Sequence, residues 1–453
     1  VIIYYNNGQI NSLIGGRNVK GKRMLNRATS PLQPVSTIKP LSIYTAAIDT
    51  LEMTQSTVFS DARGGYKFKE NRKWNPSTTT AGAGNMTLRL GLAKSSNTVA
   101  VKTAENLGES YQDCIDVMMD YLKNFGITTV VDSKTNSSNT TDRSFPSLVW
   151  GGMAYGISPL EMSAAYGALA NGGVYIEPTV FTTVSTYNGE LIVKSTPQEH
   201  RVVDEEVAYV MTDMLKAVLT EGTGSDASIG KMPVAGKTGT TNNKYCVWFV
   251  GYTPYYVGAT YIGDDVGRKD SNGNKIDLRP VEGSSSTTAK LWANVMKPIH
   301  ENLEVVDFEK PSGINFYKIN LIDGGLSSYG SNAAFVKGTS PTRTSSYSVP
   351  TPSNTGTTQD EPTNDNAGDG DNPPDDNTDN NNDDNTNDNN NNNNQTPGGN
   401  TGNNGNTGGD NGNTGNDNTG GNDEQTTPDQ QPSDTNNANE TIQLEQSYKN
   451  KLK

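Results

Sequence analysis

Val234–Tyr252 reads VAGKTGTTNNKYCVWFVGY. Two runs suited to strands flank Asn242-Asn243, a pair that favours a tight reversal, so the stretch predicts a hairpin within a sheet. Its first arm carries Lys237-Thr238-Gly239-Thr240 and reads as the edge of that sheet, with Gly236 and Gly239 expected to let a substrate lie close to the backbone. The Thr238 and Thr240 hydroxyls, with Lys237, suit a terminal carboxylate. The second arm, Val247 to Tyr252, predicts a pairing with Tyr256 to Ile262 across Thr253-Pro254.

Upstream, Pro34 precedes Ser36-Thr37-Ile38-Lys39, and the stretch from Lys39 to Leu51, KPLSIYTAAIDTL, is apolar at helical intervals. The pattern predicts that Ser36 opens a buried helix, with Lys39 one turn along the same face and within reach of the serine oxygen. A lysine acts as a base only when neutral, a state favoured by burial and by a second ammonium nearby, for which Lys237 is the candidate. Ser95-Ser96-Asn97 stands between, 59 residues after Ser36 and 142 before Lys237. Nucleophile Ser36, base Lys39, relay Ser95 and the anion anchor at Lys237 form the kit for serine acyl transfer, and the amides of Ser36 and Thr240 suit an oxyanion hole. Each short motif is common alone, so order and spacing carry the reading.

The remaining text predicts an α+β fold, an antiparallel sheet flanked by helices. Val1 to Tyr5 and Gln9 to Ile14 flank Asn6-Asn7-Gly8 as a hairpin. Ser158-Pro159-Leu160-Glu161 is a capping box opening a helix that Asn171-Gly172-Gly173 closes, and Glu205 to Thr220 reads as a second helix stopped by Gly222 and Gly224. Met162, Tyr166 and Leu169 fall at helical spacing and are expected in the core.

Composition changes near residue 345, after which Asn, Asp, Gly, Thr, Pro and Gln dominate. Residues 351–453 hold 19 acids against three lysines, a charge of −16, so the −14 of the whole chain leaves +2 for residues 1–350. Such a segment buries too little apolar surface to offset its ordering entropy and is expected to be disordered over 346–453, with a short helix at Ile442 to Leu452. An extended, solvated spacer and an extension without a role are equally open.

Cys114 and Cys246 exclude a disulfide-dense scaffold and give no zinc spacing. Pairing stays open, with isolated thiols favoured. With only His200 and His300, both expected to be structural or exposed, a Ser-His-Asp triad or a histidine metal site lacks material. No cofactor, metal or nucleic-acid partner is expected. No apolar run reaches the eighteen or so residues of a membrane span, and no signal peptide is expected within this sequence.

The chain resembles the transpeptidase domain of class A penicillin-binding proteins. Beyond the three motifs, the resemblance rests on Gly15-Gly16-Arg17, Leu25-Asn26-Arg27-Ala28-Thr29, Gln33-Pro34, Gly156-Ile157-Ser158-Pro159-Leu160-Glu161-Met162, Thr240-Thr241-Asn242-Asn243 and Trp248-Phe249-Val250-Gly251-Tyr252-Thr253-Pro254, and covers residues 1 to 340. It implies a D,D-transpeptidase in residues 1–305, an extension in 306–345, and a piece of a longer synthase whose upstream part holds a membrane anchor and a glycosyltransferase domain. By the same resemblance Ser36 is acylated by a peptidoglycan stem peptide ending in D-Ala-D-Ala or by β-lactams, Lys39 is its base, and Ser95 passes a proton to the leaving amine. Asn97 bonds substrate and Lys39, while Lys237, Thr238, Gly239 and Thr240 hold the donor. The implied location is the cell-wall side of the cytoplasmic membrane. A D,D-carboxypeptidase, a serine β-lactamase and a noncatalytic penicillin sensor share the motifs and stand as alternatives. Val35 departs from the family's usual Gly and Ile38 from its aromatic or Met. A β-branched residue resists positive φ, so the turn into Ser36 is expected to use ordinary angles.

Overall fold

Alternation sorts the strand Cys246–Tyr252 into two cores. Trp248, Val250 and Tyr252 join the large hydrophobic cluster on one face of the sheet, while Phe249 joins a smaller cluster with Ile2, Trp292 and Met296 on the other. This strand lies second in a five-stranded antiparallel sheet of order Ala235–Thr240, Cys246–Tyr252, Val257–Gly263, Ile2–Tyr4, Gln9–Ser12. Both predicted hairpins are present, and Ala235–Thr240 is the open edge. The computed structural model describes residues 1–17, 24–50, 53–61, 66–67, 73–74, 84–132, 140–264, 274 and 277–347. Of the acidic tail expected over 346–453, all but residues 346 and 347 lies outside the described residues, as does the short helix expected at 442–452.

On the large-core face pack Pro159–Ala170 and Glu205–Thr220, both near their expected bounds. The first opens with the reciprocal capping box: the Glu161 amide donates to Ser158 Oγ over 3.1 Å, and the Ser158 amide to Glu161 Oε2 over 3.0 Å. Met162, Tyr166 and Leu169 are buried there as expected. The opposite face is covered by Ser285–Ile299, whose Trp292 meets Phe249 edge-on at 5.3 Å. A further hairpin, Ile314–Ile319 with Ser331–Val336, lies in the segment expected as an extension.

The serine segment differs from expectation in two ways. In place of one α-helix opening at Ser36, a 3₁₀ turn spans Val35–Ile38, a π-type turn follows over Pro40–Tyr44, and α-helix begins only at Thr45. Pro40 has no amide hydrogen to continue the ladder, which accounts for the change of winding directly after Lys39. Val35 has φ 46, a positive angle where ordinary angles were expected. Tertiary packing overrides the local preference. The backbone of Val35 presses on Gly151, where a Cβ would stand 2.5 Å from the Val35 amide nitrogen and carbonyl oxygen.

Candidate active site

Ser36 stands partly exposed in its 3₁₀ turn while Val35, Thr37, Ile38 and Lys39 around it are buried. In a 3₁₀ turn residues i and i+3 eclipse, so the alignment of Ser36 with Lys39 survives the change of helix type. The turn is held by long-range bonds. Tyr166 of the capped helix donates its hydroxyl to the Thr37 carbonyl over 2.7 Å, and Trp248 Nε1 donates to the Gln33 carbonyl over 2.8 Å.

Lys39 is wholly enclosed, and its Nζ donates to Asn97 Oδ1 at 2.6 Å, the Ser95 carbonyl at 3.1 Å and the Ser96 carbonyl at 3.5 Å. Burial, and then the neighbouring Lys237, hold its amine well below the ordinary lysine range. Lys237 is equally enclosed. Its Nζ donates to Ser95 Oγ at 2.8 Å and to the Thr238 carbonyl at 3.0 Å, and burial lowers its pKa to about 7. The structure therefore brings Lys39, Ser95, Asn97 and Lys237 into one hydrogen-bonded cluster.

Ser95 adopts φ 58 in the turn between two helices. The following residues fix it there. Ser96 Oγ accepts from the Val99 amide at 3.1 Å, capping the helix Asn97–Glu105, and donates to buried Asp61 at 2.7 Å. Asp61 was not among the residues singled out from sequence, since no motif joins it to Ser96 across 35 positions.

Strand register decides what the edge offers. The Thr241 amide donates to the Cys246 carbonyl at 3.0 Å, so alternate pairs 239 with 248 and 237 with 250 share ladder bonds. The amides of Thr238 and Thr240 consequently point off the open edge, as an oxyanion donor at Thr240 requires. Side chains alternate as well. Lys237 and Gly239 face the serine turn and Ser95, while Thr238 and Thr240 face the other side of the sheet, where Thr223 Oγ1 lies 2.6 Å from Thr238 Oγ1 and Ser284 Oγ donates to Thr240 Oγ1 at 3.3 Å. The Lys237 amine thus bonds Ser95 Oγ and the Thr238 carbonyl, while the threonine hydroxyls bond Thr223 and Ser284.

The glycines also allow close packing within the protein. A Cβ on Gly239 would fall 2.8 Å from Val35 Cγ2 and 3.1 Å from the Pro34 carbonyl oxygen, and one on Gly236 would fall 2.6 Å from Phe249 Cζ. The missing side chains here make room for neighbouring protein atoms. Cys114 is buried and Cys246 partly so, both as free thiols. His300 is buried against Thr253 and the Met296 carbonyl, whereas His200 is exposed and bonded to the Asn124 carbonyl. No cluster of three metal-ligating side chains occurs among the described residues.

Residues 1–275 match the sequence profile of the penicillin binding protein transpeptidase domain. The chain is 34% identical over 361 residues to penicillin-binding protein 1A of Clostridium botulinum strain Langeland, covering 76% of this chain and 41% of that protein. It is 32% identical over 340 residues to penicillin-binding protein 1A of Aquifex aeolicus, covering 74% and 43%. The chain thus spans less than half the length of these relatives. Its fold is similar to the crystal structure of penicillin-binding protein 1A from Haemophilus influenzae, with a TM-score of 0.62 and 25% identity over 76% of this chain and 53% of that one.

Proposed function

The chain belongs to the penicillin-binding transpeptidase family, as a transpeptidase domain of the class A kind, and from that premise we propose that it cross-links peptidoglycan through a Ser36 acyl-enzyme. Neutral Lys39 takes the Ser36 proton as Oγ attacks the carbonyl of the penultimate D-Ala of a donor stem. The developing oxyanion lies between the amides of Ser36 and Thr240. Collapse breaks the amide to the terminal D-Ala, whose nitrogen leaves with a proton passed through Ser95 from Lys237. The amine of a second stem then attacks the Ser36 ester, giving up a proton through Ser95 to Lys237 while Lys39 returns its proton to the departing Ser36 Oγ, so that the cross-link forms and the serine and both lysines are restored. Asn97 holds Lys39 and the donor backbone, and the edge strand at Thr238, Gly239 and Thr240 takes the donor as an added strand. β-Lactams acylate the same oxygen.

The observation that carries this reading is Lys39, enclosed, bonded to Asn97 at 2.6 Å and held well below its ordinary range by burial. Peptidoglycan lies outside the cytoplasmic membrane, so the reading puts the domain on the cell-wall side. Among the described residues no helix is long and apolar enough to cross a membrane. The 453-residue chain is incubated with a stem peptide ending in D-Ala-D-Ala and an acceptor amine. Amine-dependent cross-linked product that disappears in Ser36→Ala is expected. Hydrolysis alone, with amine present, gives the site to a D,D-carboxypeptidase instead.

A further inference from the structure

Two hydroxyls outside the three motifs close on the threonines of the edge strand, and local structure explains neither. Ser284 directly precedes the helix Ser285–Ile299, where a serine ordinarily caps, yet makes no capping bond. Its hydroxyl goes to Thr240 Oγ1 at 3.3 Å, and its backbone sits at φ 56, ψ −143, a conformation that persists only when surrounding structure imposes it. Thr223 follows the long helix Glu205–Thr220, in a segment legible from sequence only as a stop. Gly222 beside it lies so near the end of the helix Leu88–Ala93 that a Cβ would stand 2.0 Å from the Ala93 carbonyl oxygen, and the Thr223 amide donates to that oxygen at 3.2 Å. Thr223 therefore joins the loop leading into Ser95 to the edge strand.

A hydroxyl carries one proton and can aim it at one acceptor. Ser284 donates to Thr240, which leaves the Thr240 proton for a ligand. Thr238 is buried and Thr223 exposed, so at that position Thr223 presents the outer hydroxyl and Thr238 backs it. Hydrogen-bonded hydroxyls polarise one another and donate better to an anion than either alone.

Resting on the transpeptidase reading, we infer that Thr223 and Ser284 complete the carboxylate subsite, Thr223 by contact and Ser284 by orienting Thr240. They set the preference for a donor with a free terminal carboxylate.

The test compares Ser36 acylation of the full chain by benzylpenicillin and by its methyl ester, which lacks the carboxylate charge. Thr223→Val and Ser284→Ala are each expected to slow acylation by the acid roughly tenfold, the scale of one hydrogen bond to a charged group, with little change for the ester. Ser284→Gly, which suits the backbone angle but removes the hydroxyl, is expected to behave as Ser284→Ala. Equal losses with acid and ester, or none with either, overturn the inference. Equal rates of acid and ester with the unmodified chain overturn it while leaving the Ser36 acyl-enzyme intact. No acylation by either overturns the transpeptidase reading and the inference with it.

Discussion

Two lysines buried side by side cannot both hold a proton at small cost. Each wholly enclosed amine is pushed down by desolvation, Lys39 also by Lys237, and the pKa of about 7 at Lys237 suits proton exchange with Ser95 near neutrality. The unfolded chain keeps the protons that the folded lysines release, so the contribution of Lys237 to stability improves as pH rises from about 7 toward the ordinary lysine value, and that of Lys39 improves in the same direction. Below about pH 7 the Lys237 penalty is fully present. Each pH unit is worth about 1.4 kcal/mol per lysine. Lys39→Met is therefore expected to slow penicillin acylation by roughly a hundredfold or more, the range of a lost general base, while its thermal midpoint at pH 7 holds or rises. A midpoint lower by several degrees contradicts the assigned burial cost. The pH profile of cross-linking is expected to show a basic limb near pH 7 from Lys237, and a profile flat from about pH 6 to 9 excludes that assignment.

At the scale of elements, the serine turn and the edge strand behave as one unit. Val35 holds φ 46 because Gly151 and Gly239 leave room for it, one on each side. Gly239→Ala is expected to slow Ser36 acylation at least tenfold, within the roughly 1–3 kcal/mol of overpacking strain, and Val35→Gly on that background is expected to restore part of it. Additive losses measured in the double-mutant cycle contradict direct contact. What could be read from sequence was local. The capping box at Ser158 and Glu161, the hairpin around Asn242 and the stop after Thr220 depend on residues within a few positions. The angle at Val35, the bond from Ser96 to Asp61 and the hydroxyls of Thr223 and Ser284 depend on partners brought together by the fold, and no pattern along the chain announces them. The single α-helix expected from Ser36 gives way at Pro40, whose missing amide hydrogen is itself a local feature of the sequence.

Across the whole molecule, one buried polar cluster links segments far apart in sequence. Arg89 Nη1 donates to Asp213 Oδ2 and Gln55 Oε1, both at 2.7 Å, and Arg89 Nε reaches Glu221 at 3.2 Å. Asp213 Oδ2 also accepts from Gln55 Nε2 at 2.8 Å and from the Ala334 amide at 3.0 Å. The cluster ties the helix leading to Ser95, the helix leading to Thr223 and the hairpin of residues 314–336 into one frame. Removing the Asp213 carboxylate leaves Arg89, Gln55 and the Ala334 amide each short of a buried acceptor. Asp213→Ala is expected to cost about 3–5 kcal/mol in chemical denaturation, and a loss under about 1 kcal/mol contradicts the frame.

All of this chemistry depends on an acyl group carried by Ser36. Intact-mass and peptide mapping of the full chain after exposure to benzylpenicillin tests it most directly. One added penicillin per chain, mapped to Ser36 and absent in Ser36→Ala, is the predicted result. An adduct on another residue, or an unlabelled protein that remains folded, contradicts it.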